Sequence, residues 1–282
     1  MDLPKSRYSD DVVGIIPAAG LATRLSPLPF SKEVFPIGFA ASANHKTIRP
    51  KAVCQYLLER LHIAGINKTY IVLRDGKWDI PAFLKDGYPS GMNLAYLIMR
   101  IPFGVPYSID QAYPFVKDAV VALGFPDIIF QPEDAFVQLL LKHKKTNADV
   151  VLGLMPVADP QNWDMVDLAE DGSIRQIHIK RPDTDLIHAW FIAVWTPVFT
   201  ELMHRYLMAH QRELEGQNRV SENRHSTIPE VHMSDVIRTA IDKGLSITSV
   251  IFPEGSCLDI GIPGNLIQAV KGSGFPSGFS LI

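Results

Sequence analysis

The segment Gly20-Leu21-Ala22-Thr23-Arg24 follows Ile16-Pro17-Ala18-Ala19, so an apolar run leaves through small residues and then offers a cation. Small side chains let backbone N–H groups approach a phosphate or a nucleobase closely. A lysine follows shortly afterwards, in Phe30-Ser31-Lys32-Glu33-Val34-Phe35-Pro36-Ile37. Two common phosphate loops are excluded on the residues, because neither the G-x-G-x-x-G spacing nor G-K-[ST] is present. Taken alone, the stretch reads equally well as a small-residue turn with a surface arginine.

The whole-chain balance limits what such a loop could hold. The 282 residues carry 27 Lys+Arg against 30 Asp+Glu, a formal charge of −3. A surface this close to neutral has no bulk attraction for nucleic acid or an anionic membrane, so an anionic ligand must be held by a few local cations. With 47% apolar and 20% charged residues, the chain reads as globular, with a length suited to one large domain or two smaller ones. Cys54 and Cys257 lie far apart, with no Cys or His at metal-ligand spacing, which argues against a disulfide scaffold and a structural zinc. The polar start and the absence of a run near the roughly 18 apolar residues of a membrane span lead to the expectation of a cytoplasmic protein.

The elements that must position these residues alternate as in an α/β protein with a mostly parallel sheet. Strands are expected at 12–17, 69–73, 93–99, 118–123 and 149–155, with an irregular stretch over 18–49. Helices are expected at 50–65, opened by Pro50 and closed by Gly65, and at 132–146, with Glu133 and Asp134 in the first turn and Lys142, Lys144 and Lys145 in the last. From 165 the style changes. Segments 165–168 and 174–180 flank a Glu-Asp-Gly-Ser turn and predict an antiparallel hairpin. A buried strand at 188–195 and a helix from 197 to about 210 follow, then an exposed, charged excursion over 211–226. A helix at 230–244, a strand at 246–252, a helix at 263–271 and a loose tail complete the reading.

Beyond the loop, the sequence resembles the sugar-1-phosphate nucleotidyltransferases, the family of glucose-1-phosphate thymidylyltransferase and UTP–glucose-1-phosphate uridylyltransferase. Their signature G-x-G-T-R, spacer, [PS]-K-x-x-x-P-[IV] matches Gly20 to Arg24 and Ser31 to Ile37, with Ala22 in place of the second glycine. Four further elements follow in order: Ala64-Gly65-Ile66 resembles A-G-I, Asp127 after Leu123-Gly124-Phe125-Pro126 resembles the L-G-D aspartate, Lys180-Arg181-Pro182 resembles E-K-P, and Leu258-Asp259-Ile260-Gly261 resembles W-x-D-[TI]-G. The resemblance implies a Rossmann-like three-layer α/β sandwich with a mixed, mostly parallel central sheet and an antiparallel substrate-side extension. It implies a single domain, with a nucleotide-binding half at about 11–150 and a sugar-phosphate-binding half at about 151–271.

The implied reaction joins a nucleoside triphosphate and a sugar-1-phosphate into a nucleotide sugar and pyrophosphate, with thymidylyl or uridylyl transfer as the expected form. By resemblance, Ala18, Ala19, Gly20, Leu21, Ala22, Thr23 and Arg24 wrap the nucleotide, Arg24 and Lys32 hold its phosphates, and Gly104 packs against the base. Asp127 and Asp259 bind Mg²⁺, and Lys180, with Ile179 and Phe191 beside it, serves the sugar phosphate. Two anions must meet in such a reaction, so a divalent cation and basic side chains are what the chemistry requires. Magnesium prefers one or two carboxylates plus phosphate and water oxygens. The departures gather on base and sugar recognition: Met99 stands where relatives present a glutamine, Ile179 where they have a glutamate, and Phe191 near a glycine; residues 39–47 form an extra loop. A non-catalytic nucleotide- or sugar-nucleotide-binding protein of the same fold is therefore the alternative reading. A homo-oligomer is left open by the resemblance, and neither nucleic acid nor membrane is an expected partner.

Overall fold

The computed structural model describes residues 12–41, 47–87, 91–100, 103–220 and 230–272. In chain order, β1 (Val12–Pro17) leads to the hairpin of β2 (Pro36–Ala41) and β3 (Ile48–Ala52), then α1 (Val53–Ile63), β4 (Lys68–Leu73), α2 (Asp79–Leu84) and β5 (Asn93–Ile98). Two short helices, α3 (Val105–Asp110) and α4 (Tyr113–Val116), precede β6 (Val120–Leu123), β7 (Ile128–Gln131) and α5 (Ala135–Thr146). The later part comprises β8 (Val150–Pro156), β9 (Met165–Leu168), β10 (Ile174–His178), β11 (His188–Trp195), α6 (Pro197–Val220), α7 (Met233–Asp242), β12 (Ile247–Ile251), β13 (Ser256–Asp259) and α8 (Pro263–Val270).

Nine strands form one mixed sheet. β1 pairs in parallel with β4 on one side and β6 on the other, and β5 extends the β4 edge. β11 runs against β6 and pairs along its length with β8, so β6 and the start of β9 share its other edge. β12 joins β8 in parallel, and β9–β10 is the predicted antiparallel hairpin. Strands such as β6 and β8 are apolar throughout because helices cover both faces of the sheet. The chain moves outward from β1 to β4 and β5, then returns to β6 across β1. Connections therefore leave the carboxyl ends of β1 and β6 in opposite directions and open a crevice between them. The expected site loops, 18–31 and 124–127, issue from those two ends.

The structure corrects several expected boundaries. The stretch 18–49 is not irregular throughout: it holds a 3-10 turn at Lys32–Val34 and the β2–β3 hairpin, although residues 42–46 of the extra loop lie outside the described residues. Pro50 does not open a helix; it sits in β3 opposite Phe39, where an edge strand tolerates a residue without an N–H. α1 starts at Val53, with the Ala52 N–H donating to Gln55 Oε1 at 2.7 Å. Glu133 and Asp134 precede α5 rather than occupying its first turn, and Glu133 accepts from the buried Arg60 at 3.0 Å. α6 continues to Val220 through the supposed excursion, because its charges lie on a solvated helical face with an i,i+4 bond from Gln211 to Glu215. Residues 221–226 of that excursion and the tail from 273 lie outside the described residues. Among the described residues, no helix is long and apolar enough to cross a membrane.

Candidate active site

The loop after β1 is anchored before it opens. The Ala18 N–H donates to Val72 O at 2.8 Å, burying Ala18 and Ala19 against the sheet, and the chain then turns outward at Gly20. Ala22 takes φ +53°, the left-handed conformation that a glycine would adopt without strain. The substitution of the family glycine therefore leaves the turn intact, at a strain of about 1 kcal/mol. Further on, Ser31 donates from its N–H and its hydroxyl to the two carboxylate oxygens of Asp79, at 2.6 and 2.7 Å. This clamp ties the loop to the start of α2 and delivers Lys32 to the crevice.

Lys32 pairs directly with Asp127. Burial alone would lower the lysine pKa, but Asp127, Glu33 and Asp259 outweigh it and hold the ammonium above its usual value. Asp127 ends the turn between β6 and β7, and β7 pairs antiparallel with β13 in a register that sets Asp259 opposite Ile128. The Ile260 N–H donates to Asp127 O at 3.0 Å and closes this junction. Two carboxylates far apart in the chain thus stand on neighbouring backbones. Burial and the negative charge of Asp127 push the Asp259 pKa up to about 6, against the pull of the Gly261 N–H, Lys32 and Arg24.

Gly261 marks where these groups converge. A Cβ there would lie 2.8 Å from Asp259 Oδ1, 3.2 Å from Asp127 Oδ2 and 3.2 Å from Lys32 Nζ. The space left by its missing side chain is thus ringed by two acidic oxygens and an ammonium, and the Gly261 N–H itself donates to Asp259 Oδ1 at 2.7 Å. Among the described residues, no three His, Cys, Asp or Glu side chains are grouped so that together they could hold a metal ion. Two hard carboxylates suit magnesium, which completes its shell with phosphate and water oxygens, and do not suit a thiol- or imidazole-bound metal.

A cavity of about 610 Å³ opens beside this cluster. Its walls include Ala19 to Arg24, Lys32, Glu33, Asp127 and Gly261, and, from the β5–α3 segment, Met99, Phe103, Gly104, Val105 and Ser108, with Phe125 and Glu230 completing it. Glu33, 1% exposed, accepts from Lys77 at 2.7 Å beneath the lysine turn, and burial pushes its pKa up against the attraction of Lys77. The pair links segments 44 residues apart, and nothing in the local sequence around either residue announces it.

The residues expected at the sugar phosphate are not gathered here. Ile179, Lys180 and Phe191 are not among the residues that line the cavity. Lys180 is exposed in the loop after β10, at φ +41°. Phe191 is turned away: it is buried against Phe130 and Phe252, with ring centroids 5.0 and 6.1 Å apart. Its neighbour on β11, Trp190, instead meets the cavity-wall residue Phe125 at 5.9 Å and donates its indole N–H to the buried Ser234 at 3.1 Å. Ser234 donates in turn to Asp164.

The fold is thus an α/β sheet with two carboxylates and basic side chains brought together at its carboxyl-edge crevice. The chain belongs to the nucleotidyl transferase family, whose sequence profile matches residues 13–272. It is 24% identical over 261 residues to a low-salt glycan biosynthesis nucleotidyltransferase of Haloferax volcanii, covering 91% of this chain and 64% of that one. It is 24% identical over 260 residues to a glucose-1-phosphate thymidylyltransferase of Streptomyces antibioticus, covering 90% and 64%. The chain thus spans less than two thirds of the length of these relatives. A UDP-glucose pyrophosphorylase solved with UDP-glucose shares the fold at TM-score 0.70 and 18% identity, over 92% of this chain and 97% of its own. A crystal structure from Bacillus anthracis with bound sucrose does so at TM-score 0.74 and 18% identity, over 93% and 95%.

Proposed function

We propose that the protein is a Mg²⁺-dependent nucleotidyltransferase that joins a nucleoside triphosphate to a sugar-1-phosphate and releases pyrophosphate. The observation that carries this reading is the convergence of Asp127, Asp259 and Lys32 on the space beside Gly261, at the wall of a cavity that also presents Arg24. Arg24 and Lys32 bind and orient the triphosphate, and the small-residue turn from Ala19 to Thr23 lets its backbone approach the nucleotide. An oxygen of the sugar phosphate attacks the α-phosphorus. The new P–O bond forms as the bond to the pyrophosphate oxygen breaks, and no protein base is needed because the attacking group is already an anion. Asp127 and Asp259 would hold the magnesium ion, which when bound neutralises charge on the phosphates. Lys180 is assigned to the acceptor phosphate by its match to the lysine of E-K-P.

A cytoplasmic location and assembly with copies of itself belong to the same proposal; two unpaired cysteines fit a reducing compartment. The names of the relatives support thymidylyl or uridylyl transfer as the starting expectation for the base. The test is pyrophosphate release with Mg²⁺ across the five common nucleoside triphosphates and several sugar-1-phosphates. Turnover with at least one pair is expected, and none with any pair, from folded protein that binds a nucleotide, would sink the reading. A second reading, a nucleotide-binding protein without efficient chemistry, is favoured by the absence of Ile179, Lys180 and Phe191 from the cavity wall. Calorimetry showing tight nucleotide binding without Mg²⁺-dependent turnover would select it.

A further inference from the structure

We infer that Lys32 bars a free divalent cation from the Asp127–Asp259 site, so that the metal enters with the triphosphate, and that the lysine then passes from Asp127 to the phosphates. The inference rests on the proposal that the two aspartates hold the metal and that the cavity binds a nucleoside triphosphate. It gives Lys32 a task before the reaction, in addition to contact with the phosphates.

The ammonium stands among the groups proposed to hold the ion. Lys32 pairs with Asp127 through Oδ2, the oxygen that faces the space beside Gly261. Measured from a Cβ on that glycine, Asp127 Oδ2 and Lys32 Nζ both lie at 3.2 Å, and Asp259 Oδ1 lies at 2.8 Å. A cation drawn to the two carboxylates would therefore meet a like charge at close range. Such repulsion is felt even in water and grows where burial limits screening, and the two partners here are only 14% and 15% exposed. Two carboxylates and one ammonium also sum to a single negative charge, half of what a divalent ion needs for neutrality.

The ammonium can leave although its backbone is fixed. The Phe35 N–H donates to Lys32 O at 3.1 Å and the Val34 N–H to Ser31 O at 3.0 Å, while Asp79 clamps Ser31. Movement is thus confined to the flexible four-carbon stem. Lys32 borders the site cavity together with Arg24, and also a second cavity of about 420 Å³ between the β1 loop and the turn from Gly76 to Asp79. Open space on both sides leaves its side chain room to turn. An incoming triphosphate offers Lys32 new anionic partners as Asp127 is given up. A free ion offers none, so its apparent affinity is reduced by the fraction of molecules in which Asp127 is released from the lysine.

Binding of Mn²⁺, which shares the oxygen preference of Mg²⁺, to the full chain can be read by electron paramagnetic resonance without turnover. Lys32→Met and Lys32→Gln, checked for folding by circular dichroism, should each bind free Mn²⁺ roughly 10-fold or more tighter than the wild type. Lys32→Arg, which keeps the charge, should show no such gain. In calorimetry with Mn²⁺ present, the Met and Gln variants should bind the best-bound of the five common nucleoside triphosphates roughly 10-fold more weakly, because the phosphates lose a cation. A disturbed site would weaken both ligands, so changes of opposite sign separate the ammonium's role from a structural one. Adding Asp127→Asn to Lys32→Met should abolish the gain in Mn²⁺ affinity. Wild-type protein binding free Mn²⁺ as tightly as both neutral variants would overturn the inference while leaving the proposed function standing. So would an equal gain in Lys32→Arg, or a gain that survives Asp127→Asn. Undiminished nucleotide binding in both neutral variants would overturn the passage of the lysine to the phosphates. Binding of none of the five nucleotides by folded wild-type protein would overturn the proposed function and this inference with it.

Discussion

The two halves of the sheet contribute unequally to the cavity. The part up to about residue 150 supplies the β1 loop, the cations Arg24 and Lys32, Asp127 and the wall from Met99 to Ser108. The later part supplies Asp259, Gly261 and Glu230, while its strands β9 to β11 turn inward to a packed core around Trp190, Ser234 and Asp164. The side proposed for the triphosphate is thus preformed, and the residues proposed for the acceptor build no comparable wall. The four-residue pairing of β7 with β13 joins the halves at the site and sets the two aspartates side by side. The nine-stranded sheet runs through both halves without interruption, so the division is one of role rather than of architecture.

That contrast can be broken first at the junction. Asp127→Asn should lower the rate of pyrophosphate release on the order of 10³-fold, since it removes a proposed ligand of the magnesium ion and the charged partner of Lys32. A wild-type rate would remove Asp127 from the site. On the acceptor side, Phe191→Ala should lower unfolding free energy by about 3–4 kcal/mol in denaturant melts, with little change in either KM, as expected of a core ring and not of a substrate contact. A raised acceptor KM in that variant would return Phe191 to the sugar site. Gly261→Ala forces a methyl between the aspartates and Lys32, and activity should fall about 10²-fold with the melting temperature little changed.

A pH experiment sharpens the comparison further. The folded-state pKa of Asp259 lies above its unfolded value, so between about pH 4 and 6 the native protein binds more protons than the unfolded chain. Stability from this group is therefore greatest below that window and falls as pH rises through it. Asp259→Asn should stabilise the ligand-free protein by about 2–3 kcal/mol at pH 7, with the gain vanishing below pH 4. An equal gain at both pH values would contradict the assignment. The smallest effect is expected at the β1 loop, where Ala22→Gly relieves the left-handed strain but loosens the unfolded chain. Stability should change by less than about 1 kcal/mol, with activity retained.

Much of the preformed side was legible before folding was considered. Arg24 and Lys32 follow β1 within one loop, so their local spacing survives folding, and the aspartates carry motifs of their own. The strands rich in Val and Ile were likewise readable from local periodicity. β7 and β13 were not, since four residues of strand carry too little periodicity to separate from a loop. Pro50 misplaced the start of α1 because proline suits an edge strand as well as a first helical turn. The Glu33–Lys77 pair, the Ser31–Asp79 clamp and the approach of Glu230 to Gly104 join distant segments, and no local pattern announces such contacts.

By itself the sequence determined the α/β alternation, the loop chemistry and the kinds of group able to meet a polyphosphate. Those properties follow from residue type and short-range spacing. Tertiary structure alone decided that Asp259 stands opposite Ile128, that Trp190 rather than Phe191 faces the cavity side, and that Glu230 closes the wall at Gly104. Strand register, the face of a bulged strand and backbone approach at a glycine are set by packing between segments far apart in the chain. A one-residue shift in any of them would place a different side chain in the site.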